Sequence, residues 1–104
     1  MADTAAWPGV SGKEYVYWVT PIGTPLKAEP GNYVFAKQGP NGKWYAVHIG
    51  ETEDLSAPLL DPDAEECIRR NGATHLHTHT AVGPRQVRQR EATDLKLRWR
   101  PKCS

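Results

Sequence analysis

The sequence has no apolar run approaching the roughly 18 residues a membrane-spanning helix needs. Its opening, MADTAAWPGVSGK, has neither the basic start nor the apolar stretch of a secretory leader, so a cytoplasmic protein with no membrane partner is expected. Cysteine is scarce: Cys67 and Cys103 lie far apart and fit neither a CxxC pair nor a zinc-ligand spacing. Two ordinary thiols in a reducing compartment are the simplest expectation. Repeats and low-complexity segments are absent, a small-molecule ligand is not indicated, and 104 residues are too few for two cores.

What is present suits one folded domain. Hydrophobic residues at 38% and charged residues at 24% exclude a disordered chain, while nine Gly and nine Pro call for short elements and many loops. The net charge of +1 conceals an asymmetry: residues 1–66 hold four lysines against ten carboxylates, residues 67–104 nine bases against Glu91 and Asp94. A basic half of this kind is the electrostatic footprint of a phosphate-backbone binder, with Arg69, Arg70, Arg85, Arg88 and Arg90 as the candidate contacts. The plain alternative is a solvated helical face.

Residues 1–13 are small, polar and punctuated by Gly and Pro, and read as a flexible arm before a single domain over 14–104. EYVYWVT, 14–20, has strand composition, and Pro21, Pro25 and Pro30 force an irregular connection after it. NYVFAK and KWYAVHIG follow as two strands joined through Asn41-Gly42, which tolerate the positive φ of a hairpin turn. Strict alternation puts Trp44, Ala46 and His48 on one face and Tyr45, Val47 and Ile49 on the other.

DPDAEECIRRNG carries every helix-end signal: Asp61 as N-cap, Pro62 at the first position, acids in the first turn, Arg69 and Arg70 in the last. ATHLHTHT, 73–80, is a strand with His75, His77 and His79 on one face, and residues 83–100 are the longest helical pattern, stopped by Pro101. These pieces predict an α+β fold: a small, mainly antiparallel sheet of three to four strands packed with two to three helices.

Within the last helix Val87, Leu95 and Trp99 mark an apolar row, and Glu91 stands in its middle. A carboxylate facing a sheet needs a partner, Arg88 or a sheet lysine, or else a hard cation. The three histidines of HLHTHT project together but lack a second element with matching ligands, so a polar or nucleic-acid-facing strand is expected there rather than a zinc site.

Taken in order, these segments resemble the GIY-YIG nuclease family. Gly31 to Tyr33 (GNY) matches its first motif, His48 to Gly50 (HIG) its second with Tyr replaced, and GETEDL, Gly50 to Leu55, the loop that follows. CIRRNGATHLH resembles the next helix and strand, RQREATDL puts Glu91 at the metal position, and PKCS matches the ending. The likeness spans residues 15–104 and implies metal-dependent phosphodiester hydrolysis of DNA. Tyr33 and His48 would act on the attacking water, and Glu91 would hold Mg²⁺ or Mn²⁺. An alternative is a nuclease-derived module that binds nucleic acid or another partner without cleaving it. Two further positions depart from the pattern: the family Arg falls on Pro58 and the terminal Asn on Ser104. Loss of that cation implies a rate penalty on the order of 10² to 10³.

Overall fold

The computed structural model describes residues 3–81 and 83–103. Five strands, β1 (Asp3–Pro8), β2 (Glu14–Pro21), β3 (Gly31–Gln38), β4 (Trp44–Thr52) and β5 (His75–Thr80), form one antiparallel sheet in the order β1-β2-β5-β3-β4. Two helices, α1 (Pro62–Arg70) and α2 (Arg85–Trp99), complete a small α+β domain. The class is the expected one, with one strand more than the sequence suggested.

The extra strand is the stretch read as a flexible arm. Residues 3–8 pair along their whole length with β2, from Asp3 opposite Val19 to Pro8 opposite Glu14. Ala, Asp and Pro have little strand preference, so the local composition hid it. What holds it is Trp7, 1% exposed, whose ring packs edge-on against Trp99 at 4.9 Å between centroids. Asp94 of α2 locks the β1–β2 turn from above, accepting from the Ser11 backbone N–H and hydroxyl and from the Tyr15 hydroxyl. No room is left there for a side chain at Gly9, whose Cβ would lie 2.0 Å from the Asp94 carboxyl.

Alternate residues on each strand serve two cores. On one face Trp7, Tyr17, Val34 and Ile49 pack beneath Ala92 and Leu95 of α2; on the other Tyr33, Phe35 and Leu76 pack with Ile68 of α1. The ends of α1 are as read: Asp61 caps the Ala64 N–H at 2.8 Å, Pro62 opens the helix, and Arg69 and Arg70 close it. The inner face of α2 is displaced from the expected row. Arg88, Glu91, Ala92 and Leu95 are buried, and Val87 faces solvent.

Cys67 and Cys103 are not free thiols. They form a disulfide, Cα atoms 5.9 Å apart, that ties the C-terminal tail to α1. Their separation of 36 residues concealed the pairing, which the fold creates by laying the tail beside β4, where the Cys103 N–H donates to the Val47 carbonyl at 2.9 Å. No helix among the described residues is long and apolar enough to cross a membrane. Closing a loop of 36 residues is worth about 4 kcal/mol on the chain-entropy account. A Cys67→Ser/Cys103→Ser variant is therefore expected to lose about 3 to 4 kcal/mol in urea unfolding. A loss below about 1 kcal/mol would show that packing alone holds the tail.

Candidate functional site

The hairpin of β3 and β4 is irregular at one point, and that point builds the site. Phe35 pairs with His48 but Ala36 pairs with Ala46, so Val47 is an extra residue in β4. The bulge undoes simple alternation. Trp44, Ala46 and Ile49 pack with the α2 core, Val47 packs with the α1 core, and His48 meets Tyr33 and Phe35 there. The sequence expectation that His48 shares a face with Trp44 and Ala46 is corrected by this one residue.

Tyr33 and His48 therefore stack, rings 5.9 Å apart and 28° from parallel. Gly50 lies directly opposite Tyr33, and a Cβ on it would sit 2.4 Å from the Tyr33 hydroxyl. Gly31 is constrained likewise, since a Cβ there would come within 2.6 Å of the His79 carbonyl. Gly31 and Gly50 thus each have a packing reason. Around the edge of β4 the two rings border a cavity of about 510 Å³, which Gln89, Thr93 and Lys96 of α2 line from the other side.

The chemistry of the pair follows from its surroundings. Burial and then the Glu51 carboxylate raise the Tyr33 pKa, so the phenol keeps its proton, and its hydroxyl donates to the Leu59 carbonyl at 3.2 Å. Tyr33 can position or donate, but it is no base near neutral pH. His48 is lowered, chiefly by burial. Its Nδ1 donates to the Cys103 carbonyl, which fixes the tautomer and leaves Nε2 as the lone-pair nitrogen.

Glu91 is elsewhere. It lies on the opposite face of the sheet from Tyr33, 6% exposed, where its Oε2 accepts from the Tyr17 hydroxyl and contacts His79 Nδ1 at 3.0 Å. Its partners are neither Arg88 nor a lysine. The bond from Glu91 raises the His79 pKa, and burial followed by the Glu91 charge raises Tyr17 far above its usual value. Mg²⁺ or Mn²⁺ at this carboxyl does not fit the arrangement. Its Oε2 is already shared by Tyr17 and His79, and among the described residues no three His, Cys, Asp or Glu side chains converge to hold a metal.

The five candidate arginines separate. Arg88 is 3% exposed, with Nε on Glu51 at 3.1 Å, and Arg85 binds the other oxygen of Glu51 at 3.0 Å. Arg88 is not available to a phosphate without breaking that clamp, while Arg85 stays largely exposed with only its Nε engaged. Arg70 pairs with Glu66 on the surface of α1, while Arg69 and Arg90 are exposed. Pro58, where the resemblance would put an Arg, borders an apolar cavity with Leu26, Phe35 and Leu60 instead of the Tyr33 cavity. Ser104 lies outside the described residues.

The three histidines do share a face, opposite Ala36, Val34 and Asn32, but that face is covered rather than turned to a ligand. His77 is fully buried, its Nδ1 accepting from Trp7 Nε1 at 2.9 Å. Lys96, Gln89 and Thr93 are the residues sequence reasoning missed. Their i, i+4, i+7 spacing on α2 was the available signal. No family model, no curated protein and no solved structure matches the chain.

Two outcomes are expected. Gly50→Ala forces a methyl into the Tyr33 ring and should cost about 1 to 3 kcal/mol in chemical unfolding, against under 1 if the ring can move aside. Burial pushes the His77 pKa down to about 4 from an ordinary 6.5. A depressed histidine supports the fold fully above 6.5, and this support fades as pH falls towards 4. The His79 pair has the opposite sign, being complete at low pH and fading as pH rises through its raised value. Between pH 7 and 4 the wild type should therefore lose about 3 kcal/mol more stability than His77→Gln. Parallel curves for the two proteins would refute the assignment.

Proposed function

We propose that this chain is a GIY-YIG-type domain that engages the phosphodiester backbone of nucleic acid, DNA in the first instance, at the Tyr33–His48 cavity. The observation that carries the reading is the stacked Tyr33–His48 pair beside Lys96 on an open strand edge, with Gly50 leaving the space the ring occupies. Lys96 supplies charge and a donor for one phosphate, Tyr33 can turn its hydroxyl from the Leu59 carbonyl to a phosphate oxygen, and the lone pair on His48 Nε2 accepts from a bridging water.

A second reading, metal-dependent hydrolysis at the same cavity, is favoured by the free Nε2 that the Cys103 carbonyl leaves on His48, a group suited to orienting water. Against it stand the engaged Glu91 and Pro58 in place of the Arg.

Salt titration of binding to a mixed DNA panel, alongside magnesium-dependent nicking of the same substrates, separates the readings. Binding should weaken steeply between 50 and 200 mM salt, with Lys96→Ala flattening the log–log slope by about 0.9 on duplex. Nicking should not exceed the Glu91→Gln background. Nicking by the wild type that Tyr33→Phe and Glu91→Gln both abolish, with their folds intact, would establish hydrolysis instead; salt-insensitive binding would remove both readings.

A further inference from the structure

Charge left unneutralised at one end of the sheet points to a second contact surface. A groove of about 460 Å³ lies between the β3–β4 hairpin and the C-terminal tail, lined by Lys37, Tyr45, Asn71, Trp99, Arg100 and Lys102. No carboxylate lines it, and among the described residues none of its three cations forms a salt bridge. Arg85, Arg88 and Arg70 are all held by glutamates. Arg100 and Lys102 of the basic half thus stand here beside Lys37 of β3 with no carboxylate among the groove's lining residues.

The groove is shaped as well as charged. Tyr45 stands opposite Lys37 in the β3–β4 pairing and is 42% exposed. Its ring approaches Gly39, where a Cβ would come within 2.6 Å of it, so the missing side chain makes room for the ring. Arg100 ends α2 in the left-handed conformation, φ 45°, where glycine is the ordinary choice. A bulky residue held there is strained, and this one lines the groove. Lys102 is fixed next to Cys103, which the disulfide and the Val47 carbonyl hold in place.

We infer that this groove binds a single-stranded segment of nucleic acid, its phosphates on Lys37, Arg100 and Lys102 and one base stacked on Tyr45. Cations tracking a backbone, beside an exposed aromatic ring, are how unpaired strands are held. A base can reach Tyr45 only when it is not stacked within a duplex. The groove and the Tyr33–His48 cavity flank the same edge strand, and Tyr45 to Gly50 spans about 16 Å at about 3.3 Å per residue. One strand can therefore run from groove to cavity, and in that respect the inference rests on the function proposed above.

The test is fluorescence anisotropy with a labelled oligothymidylate and its duplex counterpart, from 50 to 200 mM salt, for the wild type and four variants. In Lys37→Ala/Arg100→Gly/Lys102→Ala the log–log salt slope for the single strand should fall by about 2, one phosphate per cation. Arg100→Gly alone relieves the left-handed strain and should raise Tm, which guards against a loss caused by misfolding. Tyr45→Ala should weaken single-strand binding between about 5-fold and 100-fold, as for one stacked base, and leave duplex binding unchanged. Retention of binding by the groove variants together with its loss in Lys96→Ala would overturn the groove and leave the cavity standing. Duplex preference indifferent to Tyr45, or equal competition by poly-L-glutamate, would also overturn it. Absence of salt-sensitive binding in the wild type would overturn groove and cavity together.

Discussion

One extra residue in one strand decides what this sheet can do. With Val47 accommodated as a bulge, His48 passes from the α2 side to the side of Tyr33 and Phe35, and Ile49 takes the inward place beneath α2. The bulge also turns the Val47 carbonyl outward to the Cys103 N–H, so the irregularity that creates the ring pair also anchors the tail. The tail in turn accepts from His48 and sets its tautomer. Stacked pair, tail and disulfide are thus one construction. A regular hairpin would dissolve all three, since a shift of one residue exchanges the faces of everything beyond it.

The α2 interface rests on a different principle. A strip of polar groups, Asn32, His77, His79, Glu91 and Arg88, runs through what is otherwise an apolar contact between helix and sheet. Nearly every member has a named partner: Asn32 Nδ2 reaches the Arg88 carbonyl at 2.8 Å, Arg88 reaches Glu51, and Glu91 collects Tyr17 and His79. Buried pairs of this kind add little net stability, but removing one partner leaves the other desolvated and alone. Their geometry sets where α2 lies along the sheet, and hence where Lys96 and Thr93 stand relative to β4. Stability and the placement of the cavity's α2 lining are coupled through this strip, so a change at Glu91 reaches both.

Local signals carried much of this. The Asp61 cap, Pro62 and the two closing arginines specified α1, and Asn41-Gly42 specified the hairpin, because each acts within a few residues of itself. The glycines of GNY and HIG stood out through a resemblance, while their physical cause, rings and carbonyls pressing from neighbouring strands, appears only in three dimensions. What stayed hidden depends on distant partners. β1 exists because Trp7 finds Trp99 and His77, the disulfide because the tail runs beside β4, and the fate of Glu91 because Tyr17 and His79 lie under α2. Alternation failed at Val47, since a bulge has no signature in the periodicity it interrupts.

The strand order has a consequence for how the molecule comes to be. β1–β2 and β3–β4 are local hairpins that can form early, while β5 lies between them and pairs with residues far back in the chain, Thr78 with Trp18 on one side and Thr80 with Gly31 on the other. Closing such long loops precedes any return from the contacts they bring, which places the rate-limiting entropy in the seating of this one strand. Until β5 arrives, β2 and β3 each present an unpaired edge, and the exposed Val16 and Trp18 lie on the first of them. During synthesis the half-made protein is therefore two sticky ribbons, and the histidine-rich strand is the keystone that makes them a single sheet.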